Sequence, residues 1–139
     1  MKESTENRTV GVRFEKQLCQ KLAEKGWWCT DLTQNSAGQP ADIIAVKNNV
    51  AILIDAKVCS NGTFPLSRVE GNQETAMRLW FDRGNSYAFF ALLLNHKIYL
   101  FSYIRYNLIK RTNKKSLNEE EIKSLPTFEG IFSRIEQEM

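Results

Sequence analysis

The stretch AILIDAKV (Ala51–Val58) decides how this chain is read. It is an aliphatic run, yet Asp55 and Lys57 stand inside it. A charge in a buried strand is costly unless it is paired or bound to a metal. Strand periodicity resolves the conflict. Leu53, Asp55 and Lys57 project from one face, and Ile52, Ile54, Ala56 and Val58 from the other. One face can pack while the opposite face presents a carboxylate and an ammonium together.

Working outward, ADIIAV (Ala41–Val46) is a second strand, joined to Val50–Val58 through the short Asn-rich KNN. That connection favours a hairpin, which would bring Asp42 close to Asp55 across the ladder. WWCTDL (Trp27–Leu32) is a possible further strand, and TQNSAGQP (Thr33–Pro40) a turn or loop. Upstream, Thr9 can cap a helix running to about Lys25, with Gly26 as its stop. Val10, Phe14, Leu18 and Leu22 form its buried stripe, and Glu15 borders that stripe.

Downstream, CSNGTFPLS reads as a loop, and a helix follows from about Arg68 to Asp82, with Gly84 past its end. Gln73 points along its stripe with Val69, Met77 and Trp80. SYAFFALLLNHKIYLFSYI is a second hairpin, folding near Asn95 and His96. From Arg105 the chain is polar and less regular, with a short helix opening at Asn118 and Glu121 and ending by Pro126. The order α, β, β, β, α, β, β fits one α/β domain over residues 1–139, with a mixed central sheet flanked by helices. Its core spans about 9–103, and 104–139 form a C-terminal extension.

The net charge of +3 permits a polyanionic partner without demanding one. The cysteines, Cys19, Cys29 and Cys59, form no CxxC, which argues against a zinc knuckle or redox pair and for a reduced intracellular setting. The start MKESTENRTV has no apolar signal region, and no apolar stretch is long enough to span a membrane, so a cytoplasmic protein is expected. His96 is the sole histidine, placed in a turn, which argues against histidine-based and Ser- or Cys-nucleophile mechanisms. No P-loop or GxGxxG occurs, so triphosphate and dinucleotide chemistry lack support.

Taken singly, Glu15 reads as a solvated flank, Gln73 as a core amide and Asp42 as turn chemistry. Their conjunction reads differently. Glu15, Asp42 and Asp55 would repel one another unless a divalent cation reconciled them, and hard oxygen ligands suit magnesium, with manganese as a possible substitute. Metal-binding aspartates beside a lysine suit phosphodiester hydrolysis, where charge on the transition state must be neutralised and a water activated in line.

These residues resemble a known group. QPAD followed by IDAK looks like the PD-(D/E)xK nuclease superfamily, with Pro40-Ala41-Asp42 and Asp55-Ala56-Lys57. The resemblance extends over Glu15 to about Phe101. It lies nearest the RecU-type Holliday junction resolvases, through IDAKVCSNGTFPLSRVEGNQ, and archaeal-type resolvases share the outline. It implies a restriction-endonuclease-like αβββαβ core and a magnesium-dependent endodeoxyribonuclease acting in DNA recombination and repair, on branched DNA, as a homodimer. It implies that Asp42 and Asp55 ligate the metal with the main-chain carbonyl of Ala56. Lys57 would assist the nucleophile, Glu15 would be a further acid, and Gln73 would support the site.

Two departures bear on substrate. Glu70 and Asn72 stand where the family often has histidines, and DLTQNSAG is too short for the stalk of RecU-type proteins. A restriction, repair or flap nuclease of the superfamily, or a non-catalytic DNA-binding module of the same fold, are therefore the alternatives. Arg13, Lys16, Arg68 and Arg78 are candidate phosphate contacts, and IKRTNKK (Ile109–Lys115) a second one. Trp27 and Trp28 read as core residues, or as one core and one interface residue, with stacking on bases as the alternative. Exposed apolar residues of the hairpin Ser86–Tyr103 would form the dimer interface.

Overall fold

A computed structural model describes residues 5–32 and 41–139. A long helix α1 (Thr5–Glu24) leads into β1 (Trp28–Asp31), β2 (Ile43–Lys47) and β3 (Val50–Val58). A short β4 (Phe64–Pro65) and a 3-10 turn (Leu66–Arg68) precede α2 (Gly71–Asp82). Then come β5 (Tyr87–Leu94), β6 (Lys97–Ser102), α3 (Tyr103–Lys110), β7 (Ser116–Leu117), α4 (Glu119–Lys123) and α5 (Phe128–Gln137).

The main sheet has the order β1-β2-β3-β5-β6. Within it β3 and β5 run parallel, joined by the α2 crossover; the other pairs are antiparallel. The mixed sheet and the αβββαβ order are therefore as expected. Each hairpin turns on two residues with positive φ, Asn48–Asn49 and Asn95–His96. Two-residue turns of that hand match the twist of the flanking strands, and Asn tolerates the conformation. This fixes the register Lys47↔Val50 and Ile43↔Ile54.

The alternation read from Val50–Val58 sorts the core into two layers. Leu53 faces a cluster containing Met77 of α2, Phe90, Phe101, Tyr103 and Tyr106 of α3, and Ile122 of α4. Ile52 and Ile54 face Phe14, Leu18 and Leu22 of α1 and Phe128, Phe132 and Ile135 of α5. Helices thus cover both faces of the sheet.

Several expectations are corrected. The first helix begins at Thr5, one turn before Thr9, because no Gly, Pro or β-branched run interrupts Thr5–Arg8. Its stop is as expected. Trp27 N–H donates to Leu22 O and Gly26 N–H to Ala23 O, both at 3.0 Å, and Gly26 takes φ +87°. That pattern is a Schellman close, which only a residue tolerant of left-handed φ makes cheaply. Of the apolar stripe, Phe14, Leu18 and Leu22 are buried, but Val10 is exposed.

The segment from Arg105 onward is regular rather than loose. Asn118 and Glu121 exchange hydrogen bonds in a capping box, and Thr127 caps α5 by accepting from Gly130 N–H. The second hairpin is not an exposed interface: Ala88–Leu92 and Ile98–Phe101 are buried. Its outer edge is covered too, since Leu100 N–H donates to Pro126 O. The loop expected at Thr33–Pro40, which includes Pro40 of the PAD triplet and the place of the missing stalk, lies outside the described residues. Among the described residues no helix is long and apolar enough to cross a membrane.

Candidate active site

The site forms where the C-terminal half of β3 runs past its pairing with β2 while still paired with β5. Asp55 is fully buried, whereas Ala56, Lys57 and Val58 are half-buried and open onto a cleft of about 740 Å³. The cleft is also lined by Glu15 of α1, by Asp42, by Arg68 and by Glu70 and Gln73 at the start of α2.

Asp42 does not lie inside β2, as its sequence position suggests, but on the bend just before it. The ladder still extends that far: Asp42 N–H donates to Ile54 O at 3.1 Å. The side chain turns back, and Asp42 Oδ2 accepts from Ala56 N–H at 2.8 Å. The hairpin therefore brings Asp42 beside Asp55, as the KNN connection requires.

Lys57 Nζ sits 3.2 Å from Asp55 Oδ2 and donates to Gln73 Oε1 at 3.1 Å. Gln73 Nε2 donates to Asp55 Oδ1 at 3.2 Å. Gln73 Oε1 also accepts from Glu70 N–H at 3.0 Å, the return half of a capping box on α2. One amide thus anchors the helix N-terminus and holds both charged groups of β3. If the chain is the nuclease its sequence resembles, Gln73→Ala is expected to slow DNA cleavage ~10- to 100-fold, the usual cost of losing a residue that orients a site. It should also cost about 1 kcal/mol of stability through the lost cap. Single-turnover cleavage and urea denaturation check the two effects separately.

Burial pushes the Asp55 carboxyl up to about 7, and the neighbouring Asp42 pushes the same way; the Lys57 ammonium opposes both. Asp55 Oδ2 is buried and accepts no well-formed hydrogen bond, and Lys57 Nζ faces it at 3.2 Å. Such an oxygen, next to a second carboxylate, suits a cation. Among the described residues no group of three or more His, Cys, Asp or Glu is placed to hold a metal ion. Glu15 lines the cleft but does not complete a triad of acids with Asp42 and Asp55, so the three-carboxylate cluster expected from sequence is corrected to a pair. Two carboxylates with main-chain and water oxygens still fit a small hard cation, which keeps much of its hydration.

The expected basic residues divide. Arg68 lines the cleft, held by donating from Nη1 to Val58 O at 2.7 Å and lying over the Phe64 ring. Arg13 and Lys16 line a shallower hollow on the exposed side of α1. Arg78 is exposed but faces Glu74 and Tyr103 and is not among the cleft residues. Ser60, Asn61 and Thr63 also line the cleft, a polar rim that reading the segment as a plain loop does not reveal.

The family model of the archaeal Holliday junction resolvases (Hjc) matches residues 6–137. The chain belongs to this family. Its members are structure-specific DNA endonucleases, so the substrate class is branched DNA and the reaction is metal-dependent phosphodiester hydrolysis. The match bears out the resemblance to Holliday junction resolvases read from the sequence.

Among solved structures, the chain is similar to Archaeoglobus fulgidus Hjc, a Holliday junction resolvase from an archaeal hyperthermophile. The identity is 18% and the TM-score 0.66, covering 88% of this chain and 98% of that one. It is also similar to the bacterial homing endonuclease I-Ssp6803I, at 12% identity and TM-score 0.51, covering 84% of this chain and 75% of that one. At these identities the likeness is one of fold. No curated protein matches in sequence.

Proposed function

We propose that this resolvase-family nuclease cuts four-way DNA junctions with magnesium as its cofactor, and that Asp42, Asp55 and Lys57 carry the chemistry. The observation that supports this is the meeting of two carboxylates and one ammonium where β3 opens into the cleft. Asp42, Asp55 and the Ala56 carbonyl would hold the cation, which neutralises charge developing on the phosphate oxygens when bound. Manganese, of similar hardness, should substitute.

The chain's own groups do the rest. Lys57, fixed by Gln73 and Asp55, directs its remaining N–H bonds into the cleft, where they orient the attacking water or meet charge on the phosphate. Arg68, pinned by Val58 O, is set to contact a neighbouring phosphate. Arg13 and Lys16 would extend the backbone track along α1. Glu15 is a further acid at the cleft wall, and Arg78 is at most a remote contact.

The active species is a homodimer in this reading, because a four-way junction is resolved by symmetric cuts in two strands. The buried hairpin cannot supply the interface. Exposed apolar residues lie instead on α2 (Leu79, Phe81) and α3 (Ile104, Leu108). Incubation with a four-way junction, a flap and linear duplex, each with magnesium, manganese or chelator, is the test. The expected result is paired symmetric nicks in the junction, dependent on the cation and at least ~10-fold faster than on linear duplex, a preference of ~1.4 kcal/mol. Faster cutting of flap or duplex would move the substrate to another member of the superfamily. No cutting of any DNA would leave a binding module.

A further inference from the structure

Two thiols that sequence spacing keeps apart meet in the fold. Cys19 lies on α1, four residues after Glu15, and Cys29 lies on β1, the edge strand. The Schellman close at Gly26 reverses the chain between them. Cys29 Sγ donates to Cys19 Sγ across 2.9 Å, and both side chains are half-buried at the side of the molecule. Cys59 is buried apart from them, beside Arg68.

The geometry points to a dithiol site at Cys19 and Cys29 that closes reversibly into an intramolecular disulfide by exchange with a low-molecular-weight disulfide such as oxidised glutathione. The sulfurs need approach by less than 1 Å to reach the bond length of ~2.05 Å. Cys19 is the attacking group: the hydrogen bond from Cys29 lowers its pKa, against burial and the nearby Asp31. Cys29, whose pKa that same bond raises together with burial, is the resolving thiol.

In the first step the Cys19 thiolate attacks one sulfur of the small disulfide and expels a thiolate. In the second, Cys29 gives up its proton, attacks the Cys19 sulfur and expels the other half. The two protein thiols lose two electrons and two protons, and the small disulfide gains both as two thiols. The bond would tie the helix that carries Glu15 to the edge strand.

The test keeps the full-length protein folded in glutathione buffers of rising oxidised fraction, followed by alkylation, intact mass and peptide mapping. The expected result is the loss of two hydrogens and a Cys19–Cys29 cross-linked peptide, both reversed by dithiothreitol. A Tm rise of roughly 5 °C should accompany closure. Cys59→Ser should behave as wild type, while Cys19→Ser and Cys29→Ser should each lose both the cross-link and the Tm rise. A stable glutathione adduct on either thiol, or full alkylation of both across the series, would overturn the site. A cross-link that leaves Tm unchanged or lower would overturn the stapling.

Discussion

Asp55→Asn is expected to remove metal-dependent cleavage, slowing single-turnover cutting of a four-way junction by ~10³-fold or more, while the protein stays folded. The substitution conserves volume, and the new amide oxygen can still accept from Gln73 Nε2, as Oδ1 does now. What is lost is the charge facing Lys57 on a fully buried position. A cation held at this site would lose one of the two carboxylates, Asp42 and Asp55, that would hold it. Electrostatic stabilisation of the transition state usually contributes more than any other single effect to such a reaction, of order 3–4 kcal/mol for one key group.

Lys57→Ala separates the roles. It should cut the rate comparably but leave cation binding intact or tighter, because an ammonium that competes for Asp55 is gone. Manganese titration by calorimetry reads binding; quenched-flow cleavage reads rate. An Asp55→Asn variant that cuts at the wild-type rate would remove Asp55 from the chemistry.

The site is legible in sequence where it depends on short-range rules. Strand alternation alone puts Asp55 and Lys57 on the face opposite Ile52 and Ile54, and the observed core clusters divide the same way. A two-residue turn at Asn48–Asn49 leaves one register for the hairpin, so Asp42 has to arrive beside Asp55. What sequence does not reveal depends on packing between distant segments. The tail beyond Arg105 reads as irregular because its helices are short and are stabilised by contact rather than propensity. Yet Phe128, Phe132 and Ile135 recur at helical spacing, a sign of α5 that the irregular reading overlooks.

That error propagates. Without α5 on one face and α3 and α4 on the other, the Tyr87–Ser102 hairpin reads as an unpartnered apolar surface, which is why sequence places the dimer interface there. The cysteine pair is invisible for a related reason. Its contact is made by a helix and the strand after its reversal, at a spacing that no short motif marks.

The metal-free protein should lose stability as pH rises from about 4 to about 7, and a divalent cation should restore it. The sign follows from Asp55. An Asp in the unfolded chain releases its proton near ~3.9, whereas burial beside Asp42 holds the folded Asp55 carboxyl up to about 7. Between those values the folded state keeps a proton that the unfolded state has lost. Stability therefore falls with pH across that window and levels off above it. The contribution is present in full below about 4, and its loss amounts to ~2–4 kcal/mol. Other carboxylates pull the opposite way over part of the range, since Lys110 and Tyr106 hold Glu74 below its ordinary value. The diagnostic quantity is thus the difference between wild type and Asp55→Asn, which cannot ionise there. Magnesium in the millimolar range should raise the Tm of wild type at pH 8 but not at pH 5, where the proton occupies Asp55, and should not raise that of Asp55→Asn at either pH. Thermal denaturation of both proteins across this pH range, with magnesium or chelator, measures it. A wild-type curve parallel to the variant's, with no magnesium response at pH 8, would show that Asp55 neither retains the proton nor serves the cation.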